Sequence, residues 1–190
     1  MSALCGAIIL AAGQSRRMGF NKLLVAYRGK PMVAHVADAI KTAGLPAIAV
    51  LGHQEKETRA ALGGRQTDFV LADHHAEGMG RSVAAGIKAV PPEWQAAIIC
   101  LGDMPLITPD LLRQLAERAA PSSIVVPTFN GRRGNPVLWG RDYFDILVTL
   151  RGDVGGRTLF ERLADQLTQF PWHDDTVVRD FDEPSSLLSV

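Results

Sequence analysis

The feature that most constrains this chain is the junction at Leu10, where an apolar, β-branched run empties into a basic, glycine-rich loop. Ala7-Ile8-Ile9-Leu10 has the length and composition of a buried parallel strand, and the residues that follow include Gly13, Ser15, Arg16, Arg17, Gly19 and Lys22. Such a loop suits a phosphate site. Glycines let backbone N–H groups approach an oligophosphate, a serine hydroxyl adds a donor, and arginine and lysine neutralise charge at two depths. In open α/β sheets, loops of this kind lie at the carboxyl ends of strands, where ligands bind. The competing reading is an incidental glycine-rich surface turn with solvated arginines.

Two common nucleotide fingerprints are excluded. Gly13 and Gly19 are six apart and Lys22 is followed by Leu23, so the loop is not a Walker A sequence. Position 15 is serine, so the G-x-G-x-x-G of dinucleotide folds is absent. Composition narrows the field further. Twenty Lys and Arg balance twenty Asp and Glu over 190 residues, which leaves no global field to hold a nucleic acid, and any anion affinity must be local. The length fits one domain, residues 1–190, that buries roughly 70% of its unfolded surface. Cys5 and Cys100 sit in apolar strand-like runs without metal-ligand spacing, as reduced, buried side chains do in a cytoplasmic protein. No apolar run reaches the length of about 18 residues that spans a bilayer, and no basic region precedes the first one, so neither a membrane anchor nor a signal peptide is expected.

The order of elements predicts a parallel sheet with right-handed crossovers. Beyond the loop, Leu23–Tyr27 leads through a turn at Arg28-Gly29-Lys30 to an amphipathic helix from Pro31 to Ala43, with proline at its first position and Gly44 as its stop. Ala47–Leu51 reads as a strand, Glu55–Leu62 as a helix and Phe69–Leu71 as a third strand. His74 and His75 read as loop residues, because adjacent histidines lack the spacing that puts two ligands on one helix face. A helix is predicted from about Val83 to Val90. Ala96–Leu101 reads as a central strand ending in Gly102-Asp103-Met104-Pro105, where an acid is costly unless paired, metal-bound or used as a turn cap. A helix from Pro109 to Ala119 capped by Thr108, a strand over Ser123–Pro127 and a basic turn containing Arg132 and Arg133 complete the clear signals.

LAAGQSRRMGFNK resembles the signature of nucleotidyltransferases that activate phosphorylated acceptors with an NTP, and among them the molybdenum cofactor cytidylyltransferase family. Five later segments carry the resemblance along the chain. GMGRS resembles that family's base-recognition segment, with Gly78, Met79 and Ser82 retained and Gly80 and Arg81 in place of serines. LGDMP resembles its GDxP motif, GRRGNPV its G-x-x-G-[HN]-P-V motif, and GDVGGR its GDxGAR motif. Asp180-Phe181-Asp182 resembles its D-I-D segment.

The resemblance implies a three-layer, Rossmann-like α/β fold with a mostly parallel sheet of about seven strands. It implies transfer of CMP from CTP to the terminal phosphate of molybdopterin, with release of pyrophosphate. Leu10, Ala11, Ala12, Gly13, Ser15, Arg16 and Lys22 would bind the nucleotide with Gly78, Met79 and Ser82; Arg16, Lys22 and Asp103 would be catalytic. Asp103 and Asp182 would hold Mg2+, and Asn135, Asp153, Gly155 and Arg157 would face the acceptor. A molybdoenzyme would receive the product. Open alternatives are GTP as donor, a sugar or polyol phosphate as acceptor, and a non-catalytic accessory protein that binds the cofactor.

Overall fold

The computed structural model describes residues 4–13, 20–65, 67–73, 75–152, 158–179 and 181. Its strands are β1 (Cys5–Ala11), β2 (Ala26–Tyr27), β3 (Lys30–Pro31), β4 (Ala47–Leu51), β5 (Thr67–Leu71), β6 (Ala96–Leu101), β7 (Ile124–Phe129), β8 (Arg132–Arg133), β9 (Val137–Gly140) and β10 (Leu167–Pro171). Its α-helices are α1 (Met32–Ala43), α2 (Glu55–Leu62), α3 (Met79–Lys88), α4 (Pro109–Glu117), α5 (Phe144–Leu147) and α6 (Leu159–Arg162). The main sheet runs β10-β7-β9-β6-β1-β4-β5, with β8 against β7; β9 and β8 are antiparallel to their neighbours and the other pairings are parallel.

β1 lies between β4 and β6, and all seven of its residues are buried. Side chains alternate along it, so the strand serves two cores at once. Cys5, Ala7, Ile9 and Ala11 pack with residues of α1 and α4, including Val36, Ile40, Leu112 and Leu115. Ile8 and Leu10 face the opposite layer, with Val83 and Ile87 of α3, Leu147 of α5 and Phe160 of α6. The result is the three-layer Rossmann-like α/β architecture with a mostly parallel sheet. Both cysteines are buried in the first layer, and burial pushes the Cys5 thiol up to about 12. Among the described residues no helix is long and apolar enough to cross a membrane.

Several boundaries differ from the sequence expectation, each for a physical reason. Pro31 stands at the N-cap of α1 and not inside it, because Lys30 and Pro31 are already used in a small hairpin with Ala26 and Tyr27. The hairpin turns through Arg28 and Gly29, both at positive φ (46° and 84°), a pairing that matches the twist of its strands. β9 was hidden because it is four residues long. β10 was hidden because its exposed edge position leaves it with a mixed polar pattern. α3 begins at Met79, four residues before the predicted start, with Gly78 at its N-cap. Glycine weakens helix propensity, but at Gly80 packing overrides that: a Cβ there would meet the Arg151 backbone nitrogen at 2.7 Å, and the Gly80 N–H donates to the Gly152 carbonyl at 2.9 Å.

Trp139 on β9 is 1% exposed and stacks on Phe160 of α6 at 5.8 Å between ring centroids. Trp139→Ala is expected to lower the unfolding free energy by about 3–5 kcal/mol in urea titration, since the outer sheet and α6 cannot both close the gap. A second expectation concerns pH. Burial works against the Asp38 carboxylate of α1, but Lys30 and Arg65 beside it outweigh that and hold its pKa below the ordinary value. Its contribution to stability is therefore present above the unfolded-state pKa near about 4 and is lost as pH falls through the lower folded-state value. In Asp38→Asn, melting temperature should show a shallower fall over that acidic range.

Candidate functional site

The site forms where β1 and β6 end. Their register pairs Leu10 with Leu101, so Ala12 and Asp103 stand level, two residues further on. The turn after β6 hugs the end of β1: the Gly102 N–H donates to the Leu10 carbonyl at 3.1 Å. Only glycine fits there, since a Cβ would lie 2.9 Å from that oxygen and 3.2 Å from the Leu23 side chain. This close approach carries Asp103 over the strand end.

Lys22 reaches the same place from the other side. Residues Lys22–Leu24 form a single 3-10 turn whose N-cap is Asn21, and the Asn21 Oδ1 accepts the Leu23 N–H at 3.1 Å. Leu23 is 4% exposed and anchors the turn in the core. So held, the Lys22 Nζ lies 2.5 Å from the Asp103 Oδ2, with the two side chains 13% and 19% exposed. Shielding from water makes this pair stronger than a surface ion pair, and it makes either charge costly to strand.

A third packing cluster involves residues that follow each member of the pair in sequence. Tyr27 of β2, Met32 of α1 and Phe181 bury one another, with Leu106 packed against them, and the Tyr27 and Phe181 rings meet edge to face at 5.5 Å. Leu106 follows Asp103 by three residues and the hairpin follows the Lys22 turn, so the cluster links both stretches to Phe181. Phe181 is 1% exposed.

The described residues thus bring together Leu10, Ala11, Ala12, Gly13, Lys22 and Asp103 at the carboxyl ends of β1 and β6. Asn135 joins the same end of the sheet: continuing the β6–β9 register from Ile99 and Val137 sets Asn135 level with Leu101. Its N–H donates to the Val177 carbonyl at 2.8 Å, and its bond to Pro136 is cis. The base-segment candidates lie at the start of α3, where Gly78 is the buried N-cap at φ 112°, Met79 is 42% exposed and Ser82 is buried. Arg81 of that segment pairs with Glu77, and Arg132 and Arg133 are exposed on the β7–β9 connection. Ser15, Arg16, Arg17, His74, Asp153, Gly155, Arg157 and Asp182 lie outside the described residues.

Asn21 is a contributor that sequence reasoning passed over, while Gly102 and Phe181 entered it only as members of motifs, with no role of their own. An Asn immediately before an apolar turn is a capping signal, so Asn21 was within reach of local chemistry. Gly102 was not, because its constraint is a contact with a strand ninety residues away.

Chemically, Asp103 fits a hard divalent cation: it offers carboxylate oxygens at the end of a buried strand, and a cationic ammonium already rests against one of them. Among the described residues no group of three or more His, Cys, Asp or Glu converges.

Comparison with known proteins gives the family and supports the fold. The model of the MobA-like NTP transferase domain matches residues 7–168, from β1 into β10. The chain belongs to that family. Among curated relatives, the bifunctional protein GlmU of Rhizobium rhizogenes is 37% identical over 147 residues, which are 74% of this chain and 32% of that protein. The chain therefore spans about a third of that relative's length. Among solved structures, a nucleotidyl transferase from Methanothermobacter thermautotroptrophicus superposes with a TM-score of 0.84 at 25% identity, covering 97% of this chain and 94% of that one. Rv0371c of Mycobacterium tuberculosis superposes with a TM-score of 0.87 at 24% identity over the whole of both chains, and it has also been solved as a complex with manganese.

The capping role of Asn21 predicts that Asn21→Ala costs about 1 kcal/mol in chemical denaturation, whereas Asn21→Asp, which keeps an acceptor for the Leu23 N–H, costs less. Equal losses in the two variants would remove the cap from the account of how Lys22 is held.

Proposed function

We propose that this chain, as a single NTP transferase domain over residues 1–190, transfers CMP from CTP to the terminal phosphate of molybdopterin and releases pyrophosphate. The observation that carries the reading is the juxtaposition of Lys22 and Asp103 at the carboxyl ends of two adjacent central strands. A cationic and an anionic group placed there serve both partners of nucleotidyl transfer, the polyphosphate and its metal ion.

In this reaction an oxygen of the acceptor phosphate forms a bond to the α-phosphorus of CTP, the bond from that phosphorus to the bridging oxygen breaks, and pyrophosphate leaves with the electron pair. The attacking oxygen is already anionic, so positioning and charge neutralisation matter more than proton transfer. Lys22 faces the α-phosphate, Arg16 clamps the outer phosphates, and backbone N–H groups from Gly13 to Ser15 cradle the chain. Asp103 with Asp182 would hold Mg2+, which supplies orientation and charge neutralisation at the α-phosphate. Gly78, Met79 and Ser82 read the base; because position 80 is packed against the Arg151 backbone, no side-chain hydroxyl is available from it. Asn135, Asp153, Gly155 and Arg157 face the acceptor, and the product passes to a molybdoenzyme. The preference for CTP and for molybdopterin rests on the resemblance of the LAAG and GMxxS segments to the cytidylyl branch.

The test is pyrophosphate release by purified protein with Mg2+ and molybdenum-loaded molybdopterin, given CTP, GTP, ATP or UTP in turn. Turnover with CTP alone is the expected result. Turnover with GTP instead would keep the chemistry and overturn the base assignment, and turnover only when a sugar phosphate replaces molybdopterin would overturn the acceptor. Lys22→Ala and Asp103→Ala should each lower the rate on the order of a hundred- to thousandfold, the cost of losing one charge that stabilises the transition state.

A further inference from the structure

The Lys22–Asp103 contact has a second side to it. A divalent cation and an ammonium cannot share one carboxylate oxygen without repelling each other, and the Lys22 Nζ lies 2.5 Å from the Asp103 Oδ2 in a setting largely closed to water. Nor is this a long surface side chain that has drifted onto a neighbour. Lys22 is the first residue of a turn fixed by the Asn21 cap on one side and by Leu23 on the other, and Leu23 packs over Gly102, the residue that delivers Asp103. The backbone on both sides of the pair is built to make the contact.

Taking the proposed nucleotidyltransferase reading as its basis, we propose that Lys22 occupies the cation position on Asp103 in the nucleotide-free protein, and that metal is admitted only when a triphosphate draws the ammonium away. The Lys22 ammonium rests against the Asp103 carboxylate, and a polyphosphate offers it an acceptor of higher charge. Arrival of the polyphosphate moves it from the weaker field to the stronger and uncovers the carboxylate oxygen at the moment when more cationic charge is needed. Nucleotide and metal thereby become positively coupled through one side chain, and the coupling is reciprocal: metal on Asp103 leaves Lys22 available to phosphate. A protein built this way binds free metal poorly and takes it up together with its nucleotide.

The experiment is Mn2+ binding to the nucleotide-free protein, followed by the electron paramagnetic resonance signal of unbound Mn2+. Wild-type, Lys22→Met, Lys22→Arg, Asp103→Asn and the double variant Lys22→Met/Asp103→Asn are compared. Lys22→Met should bind Mn2+ about tenfold or more tightly than wild-type, the size expected when one competing charge leaves a largely shielded carboxylate. Lys22→Arg, which keeps the charge, should stay near wild-type, and the double variant should lose the gain. If Lys22→Met binds no more tightly, or Lys22→Arg gains as much as Lys22→Met, the gating role is overturned while the transferase reading stands. If Asp103→Asn leaves Mn2+ binding unchanged in both backgrounds, the metal is not on Asp103 and the site assignment itself fails.

Should Lys22→Met not fold, the wild-type protein answers by nuclear magnetic resonance of its lysine ammonium groups. The Lys22 signal should shift with CTP in the presence of a chelator and stay in place with Mg2+ alone. A shift with Mg2+ alone, or none with metal-free CTP, would overturn the proposal.

Discussion

Everything in this molecule hangs on one strand being buried on both faces. β1 has no solvent side, so its odd and even residues must each find a layer of helices, and once they do, both the sheet and the two cores are fixed. That burial also fixes where chemistry can happen. A strand sealed along its length can present polar groups only at its ends, and at the carboxyl end its chain emerges into the glycine-rich loop while the neighbouring β6 emerges into Gly102 and Asp103. The site is the place where two sealed strands first meet water.

At that boundary the protein holds opposite charges in close contact and only partly shielded. The arrangement is strained between two demands. Withdrawal from water strengthens the attraction between Lys22 and Asp103, yet each group must remain able to leave the other for a ligand. The packing meets both by fixing the backbone around the pair, through the Asn21 cap, Leu23 and the close approach at Gly102, while the charged tips themselves keep some exposure. Preorganised backbone with exchangeable side-chain partners is what a site for highly charged substrates requires.

How much of this could be read from the amino-acid order differs by element. β1, β4, β6, α1, α2 and α4 were legible because their residues obey one periodicity and their ends carry strong local signals such as Thr108 and Gly44. α3 was misjudged at its start because local propensity counts Gly80 against a helix, while the real reason for that glycine is the Arg151 backbone seventy residues away. β9 and β10 escaped notice for the opposite reason: β9 is too short to establish a period, and β10 at the sheet edge has too little buried area to be apolar. In the site, Lys22 and Asp103 were legible as a pair of candidates, but their direct contact was not. Nothing in the spacing of two residues eighty-one apart says that they touch; the fold does, by setting the Asn21-capped turn against the close approach at Gly102.

The reversal of β9 has a topological consequence. In a wholly parallel sheet each strand visits the ligand-binding end once, as it leaves, and returns along a helix to the far end. A strand that runs the other way visits that end as it enters. The segment from Asn130 to Pro136 therefore reaches the same end of the sheet as the glycine-rich loop without a crossover helix, carried there directly by the upward run of β7 and held by the downward run of β9. One inverted strand thus gives the molecule an additional wall on its open end at the cost of only a few residues. It also makes that wall a hairpin-like projection whose length can change through insertion or deletion at its tip, leaving the ladder of strands beneath it undisturbed.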